Sequence, residues 1–181
     1  MANLIPLTAD QVCVSADGGI FESFIVDCDE ITDVIFDANG QITNFVMANV
    51  GAWVRYVYDD DDSAFYNQDG ARTNRKLTVT GQASFKYSGL NTAVVEFANN
   101  VKKCCCVVAV HFTNSGVAIV QGIEYDADTA TWKFPKTKPK MTPSINTNTG
   151  ADEDSMTVLI DHVGGCYSPL TTLDSAAILA L

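Results

Sequence analysis

The stretch that decides the fold is Cys104-Cys105-Cys106-Val107-Val108-Ala109-Val110-His111-Phe112-Thr113, the turn Asn114-Ser115-Gly116, and Val117-Ala118-Ile119-Val120-Gln121-Gly122-Ile123-Glu124-Tyr125. Two apolar runs rich in β-branched residues flank a turn of small polar ones, which is the pattern of paired strands. The run Cys104 to Val110 is apolar throughout, so this strand is expected to be buried rather than half-exposed. On a strand, Cys104 and Cys106 point to one face and Cys105 to the other. No C-x-x-C pair accompanies them, which argues against zinc. Cys13, Cys28, Cys104, Cys105, Cys106 and Cys166 are therefore expected as small core hydrophobes. An intersubunit disulfide and a metal site are the lesser alternatives.

Just before this pair, Asn91 to Lys103 reads as the chain's one good helix. Asn91 and Thr92 cap its start, Val94, Val95, Phe97, Ala98 and Val101 form an apolar stripe, and Lys102 and Lys103 suit its C-terminal dipole. Further upstream, Gly19–Val26 reads as a strand. Val34-Ile35-Phe36 and Ile42–Met47 flank Asp37-Ala38-Asn39-Gly40, a hairpin signal. Ala52–Tyr58 and Leu77–Phe85 are two more strands, separated by a long polar connection over residues 59–75. Downstream, Ala130–Phe134 and Met156–Val163 are strands, and Leu170–Leu181 is an apolar tail. Residues 135–155, cationic and then acidic, read as an extended arm. The expectation is a single mainly β domain over residues 1–181, sandwich- or barrel-like, with one flanking helix and a long inter-strand loop.

Eleven Lys and Arg against 22 Asp and Glu give a formal charge of −11, with a pI near 4.3. That balance opposes binding nucleic acid through phosphate neutralisation, and it opposes an anionic membrane surface. At 47% hydrophobic residues and a mean hydropathy of +0.09, the chain is too apolar for a disordered one. The start, Met1-Ala2-Asn3-Leu4-Ile5-Pro6, shows no basic region followed by an apolar one, so a soluble protein made in the cytoplasm is expected.

Catalytic motifs are missing from the sequence. Set against a calcium-binding loop starting at Asp59, Ala64 stands where glycine is needed and Gly70 where glutamate is needed. His111 and His162 sit inside apolar strand patterns, as structural histidines do. No G-x-S-x-G, phosphate-binding loop or dinucleotide fingerprint occurs. Neither an enzyme nor any cofactor or metal is expected.

Two stretches read instead as contact surfaces. The 59–75 connection begins with Asp59, Asp60, Asp61 and Asp62, holds the adjacent aromatics Phe65 and Tyr66, and ends with Arg72 and Arg75. The second is Lys133, Lys136, Lys138 and Lys140, where positive charge concentrates. Keeping acidic and basic stretches apart favours head-to-tail self-association.

In its order of parts the chain resembles bacteriophage tail tube proteins. Ala52–Tyr58 and Leu77–Phe85 flank a long loop, the helix Asn91–Lys103 follows, and the pair Cys104–Thr113 and Val117–Tyr125 leads to an arm and a last strand. Arg75 to Phe85 also has the flavour of such virion proteins. The resemblance implies a β-sandwich subunit forming hexameric rings that stack into a tube. DNA passes through its lumen as non-specific cargo, and sheath, baseplate or adaptor proteins are partners. It places the protein in the virion tail and the long loop at a neighbouring ring. Another ring, adaptor or tail-terminator protein is one alternative. A soluble β-sandwich binding module is another, which would expose Trp53, Trp132 or Tyr56.

Overall fold

The structure, a computed structural model, describes residues 19–58, 64–74, 76–88, 92–101, 106–126, 129, 131–147 and 154–181. In chain order the elements are β1 (Ile20–Asp27), a 3-10 turn (Cys28–Glu30), β2 (Ile31–Phe36), β3 (Ile42–Met47), β4 (Val54–Val57), β5 (Ala64–Thr73) and β6 (Lys76–Ser88). There follow α1 (Thr92–Val101), β7 (Val107–Thr113), β8 (Ala118–Gln121), β9 (Glu124–Asp126), β10 (Thr131–Lys133), β11 (Thr137–Asn146), β12 (Ser155–Gly164) and α2 (Ser175–Leu179). The chain is mainly β and sandwich-like.

A central sheet has the order β4-β1-β7-β8 and a larger one β11-β12-β6-β5, with β2–β3 and β9–β10 as separate hairpins. The named strand pairs are antiparallel. The central sheet is covered on both faces. Phe24, Val26, Val108, Val110 and Val120 pack under the β2–β3 hairpin (Ile42, Phe45) and Ile178 of α2. Ile25, Val107 and Ala109 pack against Ala83 and Phe85 of β6 and Val158 and Ile160 of β12. Strand β7 therefore has no polar side, and its buried run through His111 follows from burial on two faces.

The tail does more than close the chain. Pro169 O accepts from Val120 N at 2.9 Å, and Thr171 N donates to Ala118 O at 3.0 Å. On its other side, Leu170 O accepts from Ile42 N at 2.8 Å, and Thr172 N donates to Ile42 O at 3.0 Å. The segment thus stitches the β2–β3 hairpin to the edge of the central sheet. It ends in α2, a second helix that the apolar tail did not announce. Asp174 caps that helix by accepting from Ala177 N at 2.8 Å.

Three expectations change. Most of the stretch read as a long loop is a strand: Ala64–Thr73 pairs residue by residue with β6, from Ala64↔Phe85 to Thr73↔Lys76. Its polar residues alternate with Ala64, Tyr66 and Gln68, so the period of two was hidden by a mostly polar composition. Thr137–Asn146, read as arm, is an edge strand on β12. Cys28 and Cys106, read as separate core thiols, form a disulfide within the chain, with Cα atoms 5.4 Å apart. The two residues adjoin because Asp27 and Val107 pair at the end of the β1–β7 ladder. Cys13, Cys104 and Cys105 lie outside the described residues.

The disulfide spans a sequence separation of 78, so it removes about 4 kcal/mol of chain entropy from the unfolded state. Reduction, or Cys28→Ser with Cys106→Ser, should lower unfolding stability by about 2–4 kcal/mol. Urea midpoints with and without reductant check this, and equal midpoints would dismiss the bridge as a stabilising element.

Candidate functional site

The side chains most tightly organised lie between the two sheets. Ser23 on β1, His111 on β7 and Gln121 on β8 point from one face of the central sheet toward the larger one, and none has exposed surface. Ser23 Oγ lies 2.8 Å from His111 Nδ1, and His111 Nε2 lies 3.0 Å from Gln121 Oε1. Gln121 Nε2 donates to Ile160 O at 2.9 Å and lies 3.2 Å from Nδ1 of His162, on β12. With the amide nitrogen committed to the Ile160 carbonyl, Oε1 must face His111. His111 then donates from Nε2 and accepts the Ser23 hydroxyl proton at Nδ1. The link to His162 needs that ring unprotonated at Nδ1, and for His111 burial is what favours the neutral ring.

Burial depresses the His111 pKa to about 4, with the Gln121 hydrogen bond opposing the shift. Burial likewise lowers that of His162 against the pull of Asp161. Ser23, His111 and Gln121 have the outline of a nucleophile, base and orienting group. They are sealed between strands, however, and what they do there is join two sheets. Gly81 on β6 makes the approach possible: a Cβ at that position would fall 2.2 Å from His162 Cε1.

A second polar locus is open to solvent. Lys76, Lys133 and Lys136 rim a cavity of about 440 Å³ walled by Phe134 and Val163, with Gly164 and Gly165 at its base. Glu124, only 3% exposed, turns its carboxylate there, accepting from Gly165 N at 2.6 Å and Cys166 N at 3.3 Å. A Cβ on residue 164 would occupy the position of Glu124 Oε1, so this spot needs glycine. Lys133 is held by Asp126 at 3.1 Å, a contact that raises its pKa.

The residues expected at a contact surface separate into groups. Asp59, Asp60, Asp61, Asp62 and Arg75 lie outside the described residues. Phe65 stands on the open face of β5, 49% exposed. Tyr66 points inward instead. Its hydroxyl lies 2.7 Å from Ser168 Oγ, its ring lies 5.2 Å from that of His111, and burial pushes its pKa up to about 12. Arg72 is exposed near the tip of the β5–β6 hairpin, where residues 69–73 are exposed on both faces.

The lysines do not form one patch. Lys138 lies 4.4 Å over the Phe134 ring, and Lys140 faces Asp161 across the β11–β12 ladder. Lys76, absent from the sequence-based set, joins Lys133 and Lys136 because β6 starts beside the end of β12. Glu124 and Gln121 were missed too; for Gln121 a polar residue closing the short apolar strand β8 was the available signal, whereas Glu124 opens the polar strand β9 and gave none. Trp53 is buried, and Trp132 donates to Asp33 Oδ1 at 2.8 Å.

Comparison with protein-family models, curated proteins and solved structures finds no match. Among the described residues no group of His, Cys, Asp and Glu is placed to hold a metal ion, and no helix is long and apolar enough to cross a membrane.

The neutral histidine chain sets a pH dependence. Folded-state pKa values below the ordinary 6.5 mean that the unfolded chain takes up protons first as pH falls. This contribution to stability is complete above about pH 6.5 and declines toward pH 4, by at most about 1.4 kcal/mol per pH unit for each ring. Urea midpoints at pH 7, 6 and 5 should fall in that order, and more shallowly in His111→Gln. Gln121→Leu leaves both rings and the Ile160 carbonyl without their partner, at a cost of about 3 kcal/mol. A loss under 1 kcal/mol would show the seam to be dispensable.

Proposed function

We propose that this chain is a virion structural protein of the bacteriophage tail tube type, assembling into stacked, hexameric rings whose acidic lumen conducts DNA. The observation that carries the reading is the β5–β6 hairpin. Along its outer strand β5, residues 69–73 are all exposed, and the outer edge of that strand is unpaired among the described residues. Beyond the Thr73↔Lys76 pair the strand ends at Asn74, at φ 51°, a left-handed conformation that asparagine tolerates. An exposed ordered hairpin is a contact element in search of a neighbour, and it falls where the resemblance puts an element reaching the next ring.

The sheet edges support assembly as well. Edge strand β11 carries Pro139, Pro143, Lys138 and Lys140, which blunt strand addition. The tail segment covers the β8 edge. Strand β5 has ten residues without proline or lysine, and β4 carries exposed Val54 and Val57. Neither is paired on its outer side among the described residues. Two blunted edges and two open ones suit a subunit that joins others in defined directions. The charge of −11, repeated in every copy of a ring, opposes adhesion of DNA passing through. Sheath, baseplate or adaptor proteins are the partners of this reading, and it assigns no catalysis, cofactor or membrane.

Purified protein should form rings or tubes under negative-stain electron microscopy. A species that sediments as a monomer at all concentrations and salts would overturn the reading. Phe65→Ser combined with Arg72→Glu changes exposed hairpin side chains only, so the monomer's stability should shift by no more than about 0.5 kcal/mol for each site. Stacking of the rings should be impaired. Tubes of normal length from this variant would remove the hairpin from the interface.

A further inference from the structure

We propose that the cavity rimmed by Lys76, Lys133 and Lys136 receives carboxylate side chains of a second copy of this chain. The inference rests on the assembly reading above and names where one of its contacts is made. Lys76 lies 57 or more positions upstream of the other two lysines, and the fold gathers all three at the base of β12. They are three of the chain's eleven Lys and Arg, in a molecule carrying twice as many acids. Two copies meeting elsewhere at their acidic surfaces repel each other; here they attract.

The cavity's chemistry defines what it accepts. Lys133 is oriented by Asp126, whereas Lys76 and Lys136 make no ion pair among the described residues. Glu124 already uses the backbone N–H groups of Gly165 and Cys166, which leaves ammonium groups as the donors offered at the rim. Ammonium groups are point charges on flexible stems, suited to carboxylates arriving at varied angles rather than to planar, bidentate recognition. Phe134 and Val163 provide an apolar wall that weakens screening of those charges. Complementary charge is present on every copy: Asp27, at the start of the 3-10 turn, and Asp29, within it, are exposed and make no ion pair among the described residues. Cavity and acidic surface differ, so the contact is head-to-tail and can repeat from copy to copy.

The test uses the full chain with Lys76→Glu and Lys136→Glu together, beside Lys140→Glu as a charge control on the open sheet face. Circular dichroism and thermal melting establish that each variant is folded. In sedimentation velocity and negative-stain microscopy, the double variant should need about tenfold more protein to assemble than the wild type. Lys140→Glu should behave as wild type, and high salt should weaken wild-type assembly. Normal assembly of the folded double variant would overturn the inference and leave the ring reading intact, as would equal loss in Lys140→Glu. A wild type that never assembles would overturn both. A saturable rise in melting temperature with inorganic pyrophosphate, lost in the double variant while assembly persists, would make the cavity a small-anion site and also overturn the inference.

Discussion

Gln121 stands where two sheets meet, and its carboxamide has to satisfy groups on both sides at once. Its oxygen accepts a hydrogen bond from His111 Nε2, and its nitrogen donates toward the Ile160 carbonyl and the His162 ring. A buried amide with half of these partners would cost more than an apolar residue in its place. The arrangement therefore fixes the lateral position of one sheet on the other, which apolar contacts such as Ala109 against Ala83 do not do alone. Gly81, which leaves room for His162, follows from the same requirement, and burial of the two rings favours their neutral state.

That alignment determines what reaches the surface. With the larger sheet seated on the central one, the inner residues of β5 and β6 are spent on the core, and residues 69–73 of β5 stay exposed. The start of β6 comes beside the end of β12, so Lys76 meets Lys133 and Lys136. The acidic excess of the composition is thus interrupted at one concave place. The opposite edge, β11, is blunted by two prolines and two lysines. Open and closed edges, an exposed stretch of β5 and a localised positive rim are what the proposed assembly would draw on.

Much of the fold was legible because particular residues signal locally. Asn39-Gly40 between apolar runs marked the β2–β3 hairpin, which Asp37 closes by accepting from Asn39 N and Gln41 N. The apolar run ending in Val110 announced a strand covered on both faces, and the Asn91–Lys103 pattern placed α1. Strand β5 escaped because Asn67, Gln68, Asp69 and Gly70 carry weak β preference, and they are held by pairing to β6, a partner's contribution. The same reason hid β11, whose prolines argue against a strand except at an edge. Of the residues read as contacts, Phe65 and Arg72 are exposed, whereas Tyr66 faces inward because alternation on a strand sends neighbours to opposite sides.

The amino-acid sequence by itself determined the β class, the helix, the local hairpins and a net charge of −11, because each depends on neighbours within a few positions or on a sum. Only the tertiary structure decided that Cys28 meets Cys106, that Gln121 joins two histidines, and that Lys76 stands beside Lys136. Those meetings link residues from 10 to 78 positions apart, and strand register and sheet packing set them. No local propensity encodes a register between distant strands; it emerges when buried polar groups and apolar faces must be satisfied together.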